Sequence, residues 1–519
     1  MSYDFKNLLL LSIPLILKYI FLLLLVDIYF IEIGDVKEDI LFFTVIVALF
    51  SMLKFMRKQL FYDVLTFSYL LYFILETTSY IAVSSNFSSS YMFLLLESNK
   101  EELTEFSSSY LNEAIIIFAS IILGAFFVVR RARINAKYIR KNYIKVTVVL
   151  FVVGFLKYTG LIENNAYHNI VRGAYGYINL KNNVSYNENV LAKDINISSS
   201  NEVLVVALGE STTSKHMQVY GYDEETTPFL NRIKDSLFLY SNVISTDVIT
   251  TKVVPKILTS LDNGTNNNED LVTNIIEVFN IAGFDTYWLS NQRPIGFFDN
   301  RVTEMASVSK NIKFLNHAHE VKTISYDEVL IPALKAALSK PGKKVIFLRL
   351  IGTHFDYNKR YPEEFSKFIV SSKATKKERV ISYYNNAVAY NDYVVYSFIK
   401  ELKKKRIKSM LLYLSDHGEN VYHGNDFFGR SENSLTKSMF QIPFLVWTSK
   451  DFEFPNDFEY VPNRAFMTDH TYESLGHMFG VKYKDMDESK SIFSKSFKKR
   501  KRKVVNDIDY DSYFLNVNE

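Results

Sequence analysis

The chain has 519 residues, a formal net charge of +4 and no cysteine. That length is too great for one ordinary domain, and a nearly balanced charge leaves no footprint for a nucleic acid. Without cysteine there are no thiolate nucleophiles, no Cys-ligated metals and no disulfide staples, so any chemistry must use oxygen and imidazole.

Five apolar runs fill the first third, near residues 8–31, 40–56, 62–83, 114–130 and 144–162. Most approach the roughly 20 residues that a helix needs to cross a bilayer, which predicts a multi-pass α-helical membrane domain of five helices over 1–162. Lys18, Asp27 and Glu76 fall within or at the ends of these runs, where snorkelling or pairing between helices relieves the cost of a charge. The first run is long, is preceded only by Lys6 and lacks a small-residue cleavage site, so no cleavable signal peptide is expected. Arg57 and Lys58 follow the second run, and Arg130, Arg131, Arg133, Lys137, Arg140, Lys141 and Lys145 follow the fourth. By the positive-inside rule the amino terminus is cytoplasmic and everything after about residue 165 lies across the membrane.

Residues 163–200 are polar and Asn-rich and read as a linker, with room for one interfacial helix through Tyr175 and Tyr177. From residue 202 the pattern changes. Apolar runs at 203–209, 284–290, 344–350, 410–415 and 442–447 read as buried strands, and 269–282, 324–339 and 379–406 as helices. This alternation predicts an α/β domain over 201–519, with a mostly parallel central sheet flanked by helices.

Functional groups in such sheets gather beyond the carboxyl ends of the strands. Glu210 follows the first run, His354 the third, and Asp416, His417 and His423 the fourth. Two carboxylates and several imidazoles suit zinc first and manganese second. Either ion can stabilise charge on a phosphoryl oxygen and lower the pKa of a hydroxyl. Thr250 and Thr251, at the start of a short apolar helix, offer that hydroxyl. Each residue also has a plainer role: Thr250 as a helix N-cap, Glu210 as an acid favoured by a helix dipole. His216, His470 and His477 read as structural or exposed, with His470 after Asp469 able to line the rim, His317 and His319 as loop residues, and Lys359, Arg360 and Arg430 as cations that could hold a phosphate but are more often simply exposed. The run FKKRKRK (497–503) reads as a solvated basic segment, able at most to touch anionic headgroups or sugar phosphates weakly.

Taken together, GESTTSKHMQVYGYDEETTPFL (209–230), IGTHFDYNKRYP (351–362) and SDHGE (415–419) resemble the phosphoethanolamine transferases of the alkaline phosphatase and sulfatase superfamily. Members are inner-membrane proteins with five transmembrane helices and a periplasmic catalytic domain, and the resemblance covers nearly the whole chain. It implies a catalytic zinc held by Glu210, Asp416, His417 and Thr250, with Thr250 as nucleophile and Thr251 as the alternative. It assigns His354 and His423 to substrate or a second zinc, although the spacing from His417 to His423 is shorter than in lipid A-modifying members, and those members carry disulfides that this chain lacks. The implied reaction moves phosphoethanolamine from phosphatidylethanolamine to a lipopolysaccharide acceptor, lipid A or core, through a threonine-linked intermediate. A monomer in the bacterial inner membrane is expected. The alternatives are a phosphoglycerol transferase or a phosphatase or sulfatase-type hydrolase on the same metal site, and a non-enzymatic transporter or binding protein.

Overall fold

The computed structural model describes residues 3–26, 28, 31, 33–53, 59–83, 86–87, 89, 91, 113–132, 142–182, 194–263, 272–293, 300–316, 325–423, 427–430, 435–483 and 486–515. The chain divides into two compact units, residues 1–179, and residues 180–316 with 324–519.

In the first unit each of the five apolar runs contains a helix. The helices are Tyr3–Leu25, Ile33–Leu53, Gln59–Val83, Glu113–Gly124 (followed by Phe126–Val129) and Asn142–Tyr158. Phe5–Leu25 and Gln59–Ile81 are long and apolar enough to cross a membrane. Large apolar side chains remain outside the packed interior, among them Leu24, 75 % exposed, and Phe151, 72 % exposed, a surface that water would penalise and lipid would not. Among the described charges of the bundle, Lys18 is paired between helices, whereas Glu76 accepts the Phe87 amide. Lys18 Nζ lies 2.7 Å from Asp39, both buried, and the Tyr72 hydroxyl donates to Glu38 and Asp39. An isolated buried ion would cost several kcal/mol. Asp27, Arg57, Lys58, Arg133, Lys137, Arg140, Lys141, His317 and His319 lie outside the described residues. A further helix, Ala166–Asn182, occupies much of the stretch read as a linker and exposes Val171, Tyr175 and Ile178.

The second unit is built on a seven-stranded sheet. Its strands are β1 (Val203–Gly209), β2 (Leu237–Leu239), β3 (Asp285–Ser290), β4 (Asn311–Phe314), β5 (Lys344–Arg349), β6 (Ser409–Ser415) and β7 (Phe444–Thr448), in the spatial order β2-β7-β6-β1-β5-β3-β4. From β6 to β4 every pairing is parallel. The sheet as a whole is mixed, because β7, foreseen as part of a mostly parallel sheet, runs antiparallel to both β6 and β2. A parallel return would need a crossover element. Between β6 and β7 the only described helical turn is the three-residue Lys437–Met439, so the chain comes back antiparallel. Strands β2 and β4, three and four residues long, are too short to show periodicity in the sequence.

Every residue of β1, β5 and β6 is buried, which is why these strands read as continuous apolar runs rather than alternating ones. The helix Lys376–Lys405 covers one face. It opens with a capping box between Thr375 and Glu378, carries Lys403, Lys404 and Lys405 in its last turn and stops where Arg406 turns left-handed. Both ends thus satisfy the helix termini and their dipole. It buries Tyr384, Val388, Val395 and Phe398 in the main core with β1, β5 and β6.

The register decides where chemistry can occur. Gly209 pairs with Ser415 and Leu208 with both Leu414 and Arg349, so Glu210 and Asp416 leave adjacent strands side by side, with Arg349 on the neighbouring strand.

Candidate active site

Glu210, Asp416 and His417 are all buried, and one donor atom from each lies within 4.8 Å of the others. Thr250, the first residue of the helix Thr250–Leu258, reaches into the middle of them. Its Oγ1 lies 2.8 Å from Asp416 Oδ2, 3.1 Å from Glu210 Oε1 and 3.3 Å from His417 Nε2. His417 Nε2 is in turn 3.2 Å from Glu210 Oε1 and 3.6 Å from Asp416 Oδ2. A tetrahedral zinc with bonds of about 2.0–2.1 Å requires donors about 3.3 Å apart. Four donors at these separations, two carboxylates, an imidazole and a hydroxyl, fit that ion in both spacing and type.

The local backbone holds the donors in place. His417 Nδ1 lies 2.8 Å from the Gly418 carbonyl, which places the proton on Nδ1 and turns the Nε2 lone pair to the cluster. Asp416 Oδ1 accepts from the backbone amides of His417 and Ser211. Ser211 has a positive φ of 56°, uncommon for a residue with a Cβ. It is held there because the Tyr384 hydroxyl donates to its carbonyl at 2.8 Å while accepting the Thr213 amide at 3.0 Å. Gly352 packs against Glu210 from beneath; a Cβ there would stand 2.7 Å from the Glu210 carbonyl oxygen.

Charge around the cluster is arranged as finely. Arg349, buried, bonds Glu210 Oε2 and Asp416 Oδ2, with Nη1 on the Gly209 carbonyl. Gln292 Nε2 donates to Glu210 Oε2 at 3.2 Å. Burial pushes the Glu210 carboxyl up, but Arg349 and His417 outweigh it and hold the group well below the usual carboxylate range. Burial and the facing Glu210 push Asp416 up. Two carboxylates forced together in this way are relieved by a cation between them.

Arg349, Gln292 and Glu419 stand at the cluster without having been expected there, and Arg430, expected as an exposed cation or a phosphate holder, is largely covered. Arg430 instead touches His417 Nε2 and lies 3.4 Å from the buried Glu419 carboxylate. Glu419 also accepts the Tyr357 hydroxyl at 2.7 Å. The signal for Arg349 was available: a lone arginine inside the apolar run KVIFLRL can be buried only if it is paired. Gln292 carries no such mark.

His354 is half-buried, in electrostatic reach of Glu210 and His417, but makes no described bond to them. His423 packs edge-on against His216, with ring centroids 4.8 Å apart. The structure therefore joins His423 to His216 rather than to the four central donors. His216, His470 and His477 are all buried, and Thr251 follows Thr250 without entering the cluster's described bonds.

Residues 202–481 match the sulfatase family. The chain is 29 % identical to phosphoethanolamine transferase EptC of Escherichia coli O18:K1:H7 over 483 residues, covering 83 % of each chain. Among solved structures, the zinc complex of the C-terminal periplasmic domain of Escherichia coli EptC is similar, with a TM-score of 0.57 and 30 % identity over 63 % of this chain and 98 % of that one. The integral membrane protein lipooligosaccharide phosphoethanolamine transferase A of Neisseria meningitidis shares the fold, with a TM-score of 0.50 and 18 % identity over 94 % of this chain and 97 % of that one. The chain belongs to the sulfatase family and, within it, to the phosphoethanolamine transferases.

Proposed function

We propose that this protein transfers phosphoethanolamine from phosphatidylethanolamine to lipopolysaccharide, on lipid A or the core, in two steps with Thr250 as the covalent carrier. The observation that carries this reading is the position of Thr250 Oγ1, within 3.3 Å of Glu210, Asp416 and His417 at once. The zinc found with the related EptC domain fits the same four donors here. When bound by Glu210, Asp416, His417 and Thr250, such an ion supplies Lewis acidity, favouring the threonine alkoxide and drawing charge from the phosphoryl oxygens.

In the first step Thr250 Oγ1 loses its proton, for which Asp416 Oδ2 at 2.8 Å is the nearest base, and attacks phosphorus. The phosphorus–oxygen bond to the diacylglycerol breaks, and diacylglycerol leaves with a proton. The threonine then carries phosphoethanolamine as a phosphodiester. In the second step an acceptor hydroxyl or phosphate attacks that phosphorus and frees Thr250. Desolvation, only partly opposed by Glu210, pushes the His354 imidazole down to about 4, so it is neutral at ordinary pH and would position an acceptor hydroxyl by a hydrogen bond, the acceptor's proton passing to the departing Thr250 oxygen. His423 and a second metal remain tied to the acceptor side in this reading. Arg430 Nη1 meets the His417 Nε2 lone pair that a metal would take, while its Nε lies 3.4 Å from Glu419; with metal on His417 the guanidinium would keep the Glu419 contact and be free to hold substrate phosphate.

The same reading places five helices across the bacterial inner membrane, with the amino terminus cytoplasmic and the catalytic unit periplasmic as a monomer. The two longest apolar helices and the basic loops support it. The test is intact mass spectrometry of the full chain in nanodiscs with zinc and phosphatidylethanolamine, beside Thr250→Ala. A phosphoethanolamine adduct on the wild type alone is expected. Zinc-bound protein that releases free phosphoethanolamine and never carries the adduct would instead favour a hydrolase.

A further inference from the structure

Six consecutive basic residues, Lys498–Lys503, follow an exposed Lys495. Their two faces differ. Arg500 Nη2 pairs with Asp487 at 2.9 Å, and buried Arg502 pairs with Asp511 and donates to Asn242 Oδ1 at 2.8 Å. These inward arginines clamp the backbone. Lys499 and Lys501, which alternate with them, point to solvent together with Lys498. Among the described residues none of these three lysines, nor Lys495, has a carboxylate partner, whereas the neighbouring acids Asp511 and Asp507 are taken by Arg502 and Lys503.

The segment then turns back on itself. Lys503–Val504 pairs antiparallel with Ile508–Asp509 and leads into the helix Tyr510–Leu515. Val504, Val505, Tyr510 and Phe514 anchor this hairpin in a core with Ile244 and Val248, just before the nucleophile helix. The helix nevertheless leaves Tyr513 and Leu515 in the open, Leu515 at 82 %. A rigid hairpin that shows unpaired lysines beside an exposed tyrosine and leucine has the composition of an interfacial contact, in which ammonium groups meet phosphate and the apolar side chains enter the headgroup layer.

We propose that the hairpin 495–515 docks the catalytic unit on the anionic phospholipid headgroups of the bilayer that holds the chain. Lysine is the informative choice. Arginine forks select particular phosphates by bidentate bonds, while lysine point charges respond to the density of negative charge on a surface. The arginines of this run are spent inward, leaving the outward face to lysine alone.

The inference rests on the membrane placement proposed above and not on the transfer chemistry, so its test needs no turnover. Because the chain lacks cysteine, Ser512→Cys gives a single labelling site on an exposed position of the hairpin. The labelled full chain is placed in nanodiscs of phosphatidylethanolamine with either phosphatidylglycerol or phosphatidylcholine, and quenching by a headgroup spin-labelled lipid is measured. Quenching is expected with phosphatidylglycerol, weakening with added salt. In K498E/K499E/K501E the ratio of docked to free hairpin should fall by at least roughly tenfold, with the melting temperature unchanged. Equal quenching in the two lipids, or none in either, overturns the proposal. Quenching that appears only on adding lipopolysaccharide also overturns it and moves the hairpin to acceptor recognition. A chain that never enters the nanodisc refutes the membrane placement instead.

Discussion

Thr250 Oγ1 lies 2.8 Å from Asp416 Oδ2, across two elements that meet only in the folded sheet. If this hydroxyl is the nucleophile, Thr250→Ala should lose transfer by roughly a thousandfold or more, while Thr250→Ser, which keeps an oxygen in reach, should still form the adduct. Intact mass after incubation with donor lipid reads both. An adduct surviving in Thr250→Ala would move the nucleophile to Thr251.

Arg349 stands between two buried carboxylates. Its replacement by Met leaves Glu210 and Asp416 facing each other without a cation, at a cost of about 3–5 kcal/mol in metal-free protein. Zinc would then take the place of the one cation bonded to both of them. The melting temperature of Arg349→Met should fall well below wild type without zinc and rise more than wild type when zinc is added. Equal zinc-induced shifts in the two proteins would show that Arg349 does not share the carboxylates with the metal.

Gly352 has a φ of 58°, and a Cβ there would press on the Glu210 backbone. Gly352→Ala must displace Glu210 or the loop beneath it. Zinc affinity, measured by competition with a chelating dye, is expected to drop by about tenfold or more. An unchanged affinity would mean that Glu210 tolerates the shift.

His216 is buried and its Nδ1 bonds Asn385 Oδ1 at 2.7 Å. Burial holds this imidazole down to about 3, from 6.5. Between those values the unfolded chain binds the proton and the folded one does not, so the His216 contribution is complete above about pH 6.5 and is lost as pH falls toward 3. Denaturant unfolding of His216→Gln across that window should give a flatter pH dependence than wild type. Parallel curves would show that other groups set the acid sensitivity.

How much could be read in advance follows from what each residue does to its neighbours in the chain. The run MLLYLS ending in Asp416-His417 announces both a buried strand and the polar pair that joins the cluster, since an apolar run stops where the polar pair begins. Glu210 after VLVVALG does the same. The antiparallel course of β7 leaves no such trace, because a buried strand looks alike in either direction and only the absence of a crossover helix decides. Gln292 is equally silent: its bond to Glu210 depends on β1 lying two strands away from β3, across β5. The pairing of His423 with His216 joins residues from two separate loops and became visible only with the fold.

The pairing of Gly209 with Ser415 has one more consequence. Ser211 and Asp416 are 205 residues apart in the chain, and a slip of one residue between β1 and β6 would turn Glu210 and Asp416 to opposite faces. The site therefore works as an inspection of assembly. If the chain is inserted as proposed above, Glu210 and Thr250 emerge well before Asp416, and the four donors come together only once β6 has been set in step beside β1.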